Sequence, residues 1–269
     1  MKLQLKRLYF QIILFFSANL GALGLKTGFC YPFFYCQACP AATSACPLRA
    51  LENSVYKQSL EWRFLVYPLA IIGFFGITTG RAICGWACPI GLLQRGTGKV
   101  ARKVRSHPIA QRLGAHRAEK YLRYTKYVML IVFVFLTSFL IGFIFTDICP
   151  VGMLVGTFPI MILNPGKFVP NYFFPIALVI FILFLVLIFT IERGWCRYFC
   201  PVGALLAPFN KVSLLEVSVE SKQCIHCNIC SNVCPMGIDV PNMHRDLECI
   251  MCGKCVNSCP QSGIKFKRS

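Results

Sequence analysis

The chain has 269 residues, 56% of them apolar and only 14% charged, and its mean hydropathy is +0.61. A soluble domain usually carries about 25% charged residues, so this composition argues against an ordinary soluble enzyme and points to lipid. The net charge of +18 could signal nucleic acid, but the basic residues cluster beside apolar stretches, which favours a membrane topology signal and no nucleic-acid partner.

In chain order, apolar segments at 8–25, 64–80, 127–146 and 171–191 approach the roughly 20 residues a membrane-crossing helix needs. The third and fourth are continuous, whereas the first carries Ser17, Asn19, Gly21 and Gly24 and the second carries Pro68 and two glycines. The stretch Arg81–Lys126 holds eleven basic residues against one acid, Glu119, while the 147–170 loop has only Lys167. The positive-inside rule then places both termini in the cytoplasm. The expected fold is thus an all-α bundle of four transmembrane helices over residues 1–210, in a bacterial or archaeal cytoplasmic membrane with lipid as its surroundings. A small α+β two-cluster ferredoxin domain follows at 211–269.

An internal repeat runs through the first part. Arg81-Ala-Ile-Cys84-Gly-Trp-Ala-Cys88-Pro-Ile-Gly recurs as Arg193-Gly-Trp-Cys196-Arg-Tyr-Phe-Cys200-Pro-Val-Gly, offset by 112 residues. Each copy follows an even-numbered apolar segment, which suggests two hairpins related by an axis along the membrane normal.

The seventeen cysteines carry the chemistry. Cys224, Cys227, Cys230 and Cys234-Pro, then Cys249, Cys252, Cys255 and Cys259-Pro, form two runs of C-x2-C-x2-C-x3-C-P. In that bacterial ferredoxin pattern the fourth cysteine of each run ligates the other [4Fe–4S] cluster. One set is therefore Cys224, Cys227, Cys230 and Cys259, and the other Cys249, Cys252, Cys255 and Cys234. Zinc predicts simpler Cys-x2-Cys pairs, and disulfides do not suit a reducing compartment. His226, inside the first run, reads as a surface residue rather than a ligand.

Cys84, Cys88, Cys196 and Cys200 supply four thiolates for a third cube. The alternatives are two redox-active dithiols, a Cu(I) site or buried structural thiols. Cys36, Cys39, Cys46 and Cys149 could hold a fourth, leaving Cys30 spare, with outer disulfides the competing reading. None of the four histidines lies in an apolar segment and no Cys-x-x-Cys-His occurs, so haem is not expected. Gly96-Thr-Gly-Lys99 lacks the full phosphate-loop pattern, and no catalytic residue stands out.

Taken together, four apolar segments, two Cys-x3-Cys-Pro motifs and a two-cluster tail resemble the NapH-type membrane subunits over about residues 1–265. The C-terminal half of NosR has the same plan, beside a flavin domain for which this chain has no room. The resemblance implies an electron-transfer subunit of a quinol-dehydrogenase type of oxidoreductase, with quinone as a possible partner, redox-partner subunits, and no haem or flavin. A copper-handling assembly factor is the alternative function.

Overall fold

The computed structural model describes residues 2–19, 47–56, 62–105, 121–163 and 172–268. Its helices are α1 (Lys2–Asn19), α2 (Pro47–Ser54), α3 (Trp62–Thr79), α4 (Ala82–Trp86) and α5 (Pro89–Arg105). Next come α6 (Thr125–Val128), a π-helical section (Met129–Leu136) and α7 (Thr137–Leu140), then α8 (Pro150–Gly152) and α9 (Phe158–Leu163) flanking a second π-helical section. The order continues with α10 (Phe174–Thr190), α11 (Gly194–Tyr198), α12 (Pro201–Leu206), β1 (Leu215–Val219), α13 (Ile229–Asn232), α14 (Lys254–Ser258) and β2 (Ile264–Arg268).

The four-span membrane bundle is not what these residues build. Among the described residues no helix is long and apolar enough to cross a membrane. That finding also overturns the expected placement as a multi-pass protein of the cytoplasmic membrane with both termini inside. The reasons are local. The first apolar segment begins inside a helix described over Lys2–Asn19, whose Arg7 and Gln11 are fully buried against protein. The second contains Pro68, which removes a helical hydrogen bond. The third splits into α6, a π-helical section and α7, and stops at Leu140, just before Gly142 with φ 68°. The fourth, α10, has 17 residues, about 26 Å at 1.5 Å per residue, against a hydrocarbon core of about 30 Å.

Hydrophobic burial organises the helices around one core. On α10, Ala177, Phe181, Phe184 and Ile188 are buried, a spacing of four, three and four that forms one helical stripe. Phe184 meets Trp195 of α11 edge to face, centroids 5.3 Å apart. The opposite face leaves Ile176, Val179, Ile182, Leu183 and Val186 exposed. The same core continues into the C-terminal segment through Met236, Ile238, Ile250 and Cys252. That segment closes on itself by pairing β1 with β2 antiparallel, Leu215 opposite Arg268 and Val219 opposite Ile264.

A buried carboxyl stands in the α2 corner. Glu52 is fully buried; its Oε2 accepts from Thr146 Oγ1 at 2.6 Å, and its Oε1 finds no partner among the described residues. Burial is the largest influence and pushes the carboxyl up to about 7, against the Thr146 hydrogen bonds and Arg49. A raised carboxyl stabilises the fold fully below its unfolded value, and that contribution is lost as pH rises through about 7. Glu52→Gln is expected to flatten the stability profile over this window, where the wild type should lose about 3 kcal/mol at 1.36 kcal/mol per unit. Denaturant melts at pH 5 and pH 8 check this, and parallel profiles for the two proteins would refute it.

Candidate functional site: three cysteine-lined cavities

The two motif copies fold alike because their sequences place the same breaks at the same offset. In each, a five-residue helix (α4, α11) is followed by a turn that returns the second cysteine's N–H to the helix: Cys88 N to Ile83 O and Cys200 N to Trp195 O, both 3.0 Å. Proline then opens the next helix (α5 at Pro89, α12 at Pro201), where its missing N–H is harmless. The result points both cysteines of each copy inward. Cys84, Cys88, Cys196 and Cys200 line one cavity, together with Arg81, Ile83, Ile90, Val202, Gly203 and Leu206.

The tail repeats at a shorter offset, 25 residues. His226 and Asn228 in the first run, and Met251 and Gly253 in the second, have φ between 47° and 68°. Left-handed residues at matched places curl each loop, and short helices α13 and α14 follow. The curl makes two cavities. One is lined by Cys224, Cys227, Cys230 and Cys259; the other by Cys234, Cys249, Cys252 and Cys255. The fourth cysteine of each run thus stands in the cavity of the other run. His226 is exposed, on the surface where the sequence put it. Of the remaining set, Cys149 is buried in the core, while Cys36, Cys39 and Cys46 lie outside the described residues.

Do these surroundings fit iron–sulfur cubes? Among the described residues no three His, Cys, Asp or Glu side chains converge as one metal ion needs. Four thiols instead spread around each cavity, as four irons each taking one thiolate require. Burial pushes the Cys88 thiol up to about 12, and the Cys84 and Cys200 thiols upward too. Bare thiolates are unfavourable there, and coordination by a metal cation reverses that. Donors already face the sulfurs. Gly203 N–H donates to Cys200 Sγ at 3.2 Å, and the buried Gln94 Nε2 donates to Cys196 Sγ at 3.1 Å. Such hydrogen bonds tune a cluster's potential. The residues fit the group.

The first and second tail loops are not equally placed against the motif copies. Trp86 Nε1 donates to Met251 O at 2.8 Å. Gly85 lets α4 approach so closely that a Cβ there would overlap Ile250 O. Arg7 and Gln11 donate to Gly85 O at 2.7 and 2.9 Å, and Gln4 donates to Cys252 O at 2.9 Å, so α1 ties the first motif copy to the second tail loop. Beneath, Arg81 Nη1 donates to Glu248 at 2.9 Å, and Lys126 pairs with the other oxygen of the same carboxylate. Burial alone would raise Glu248, but the Arg81 and Lys126 charges outweigh it and hold the carboxyl below its ordinary value. Asn210 adds bonds to Asp246 O and Cys249 O. Sequence reasoning gave no role to Gln94, Glu248 or Lys126. Arg81 and Arg193 were visible only as flanks of the repeat.

Known proteins share these stretches of the chain. The 4Fe-4S binding domain family matches residues 60–107 and 173–217, one motif copy in each stretch, and the 4Fe-4S dicluster domain family matches 207–268. An uncharacterised protein of Methanocaldococcus jannaschii is 30% identical over 195 residues, covering 72% of this chain and 74% of the relative. The ferredoxin-type protein NapH of Escherichia coli is 28% identical, covering 66% of this chain and 58% of its own length. The methylamine utilization ferredoxin-type protein MauN of Methylorubrum extorquens is 28% identical, covering 61% and 50%. The chain thus spans little more than half of the two relatives with functional names. No solved structure matches. With its motif copies and its dicluster tail each matched, the chain belongs to the NapH-type polyferredoxin family of [4Fe–4S] electron-transfer proteins.

Proposed function

We propose that the chain relays single electrons to and from a redox-partner protein by holding three cubes in series. Cys84, Cys88, Cys196 and Cys200 would hold the innermost; Cys234, Cys249, Cys252 and Cys255 the middle one; Cys224, Cys227, Cys230 and Cys259 the outermost. Each cube would accept and release one electron at a potential set by the net charge, hydrogen bonds and exposure around it. The observation that carries this reading is the graded burial of the three cysteine sets. All four residues of the motif set are buried, the middle set is buried or half-buried, and Cys227 of the outermost is exposed. The α4 contact at Ile250 and Met251 joins the first set to the second, and the crossed cysteines Cys234 and Cys259 join the second to the third. Ile225 and Ile229 are exposed beside Cys227, which gives a partner an apolar surface at the outermost set. A fourth cube on Cys36, Cys39, Cys46 and Cys149 would extend the row.

Anaerobic purification with iron, sulfide and copper counts tests the proposal. Three cubes give about twelve irons per chain, and a fourth brings about sixteen, four per cube. Cys88→Ala and Cys200→Ala should each remove about four irons and leave the tail spectra intact. About eight irons, unchanged by both variants, would overturn the three-cube reading, and copper in place of the missing iron would favour metal handling instead.

A further inference from the structure

Arg81 and Arg193 occupy the same place in the two motif copies, three residues before the first cysteine, and each side chain crosses to the other copy. Arg81 Nη2 reaches Cys196 O at 3.4 Å, and Arg193 Nη1 reaches Cys84 O at 3.2 Å. Each also lands on the motif glycine of the opposite copy. A Cβ at Gly203 would stand 3.2 Å from Arg81 Nη2, and one at Gly91 would stand 2.7 Å from Arg193 Nη1. Four residues at one offset therefore make two reciprocal contacts, and the glycine of Cys-x3-Cys-Pro-x-Gly is small because a guanidinium from the other copy lies over it.

Packing alone does not call for this. The two arginines are 0% and 2% exposed, and burying a cation costs several kcal/mol unless it is answered by opposite charge. Among the described ion pairs Glu248 answers Arg81 but shares its carboxylate with Lys126, and Arg193 has no carboxylate partner. The negative charge these cations lack is what four cysteine thiolates would bring. Adding an electron to that site makes it more negative still, so two fixed guanidiniums favour the reduced state. Gln94, donating to Cys196 Sγ, acts in the same sense.

We propose that Arg81 and Arg193 are a reciprocal pair of positioning residues that raises the reduction potential of the motif-held cluster, each holding positive charge at the backbone of the other copy's first cysteine. The inference rests on the third cube proposed above. Its test is potentiometric titration of the full-length protein, followed by paramagnetic resonance, with the motif cluster identified as the signal lost in Cys88→Ala. Arg193→Gln is expected to shift that cluster's reduction equilibrium at least tenfold toward the oxidised form, which is 59 mV for one electron, and to leave the two tail clusters unmoved. Arg81→Gln should shift it in the same direction, and Arg81→Lys and Arg193→Lys, which keep the charge but lose the fork, should stay nearer the wild type. Glu248→Gln should move it the opposite way. Glutamine variants that assemble the cluster at an unchanged potential would overturn the proposal. So would lysine variants that shift it as far as glutamine, or that lose it altogether, since either would leave the arginines only a bracing role. Absence of any signal sensitive to Cys88→Ala would instead remove the third cube itself.

Discussion

Gly85→Ala should detach the C-terminal segment from the motif copies while leaving each separately folded. The new methyl would overlap the carbonyl oxygen of Ile250, a backbone atom that cannot rotate aside, and Gly85 O is already held on its other side by Arg7 and Gln11. Either the Trp86–Met251 bond breaks or α1 shifts, and the expected loss is on the order of 3 kcal/mol, as for overpacked core sites. Limited proteolysis should release a fragment containing residues 211–268 much faster than from the wild type, and magnetic interaction between the middle and motif clusters should weaken. Gly96→Ala serves as control. No neighbouring atom lies within 4 Å of a Cβ there, so alanine inside α5 should gain about 0.5–1 kcal/mol from helix propensity. Equal proteolysis of the two variants would refute the close approach at Gly85.

Cys234→Ala is expected to abolish the cluster of the run it does not belong to. Cys234 follows Cys224, Cys227 and Cys230 in sequence, yet it lines the cavity of Cys249, Cys252 and Cys255. Its loss should therefore produce the spectrum of Cys252→Ala and spare the outermost cluster, while Cys259→Ala should do the converse. The stability cost should be large, because a segment of this size has little apolar core of its own and relies on its metal centres to fold. If Cys234→Ala matched Cys227→Ala instead, the crossed assignment would be wrong.

Spacing proposes the grouping of twelve cysteines, through two ferredoxin runs and a 112-residue repeat, and the same three sets line the three cavities. What spacing does not carry is which loop faces which. The dock between α4 and the 249–252 loop depends on a glycine whose meaning emerges only when Ile250 O is seen against it. Arg81 and Arg193 were likewise legible as repeat members but looked like charges flanking apolar segments; only the crossing of their side chains gives them a role. The membrane reading failed for a related reason. Apolar residues in a row say nothing about how the helix through them is wound or what it packs against: α3 carries Pro68 inside it, residues 129–136 are π-helical, and Arg7 and Gln11 turn inward on α1.

Duplication supplies two related halves, and one of the positions where they differ decides how each meets the C-terminal segment. Where the first copy has Gly85, the second has Arg197, whose long side chain is buried and takes up the space over Gly237 that a Cβ there would need. One half therefore meets the C-terminal segment backbone to backbone, and the other meets it at arm's length through a guanidinium. The cube proposed on Cys84, Cys88, Cys196 and Cys200 would thus be approached closely by the C-terminal segment from one half alone. Exchanging the two residues, glycine for arginine and arginine for glycine, would be a way to ask whether traffic through such a site has a preferred door or merely a convenient one.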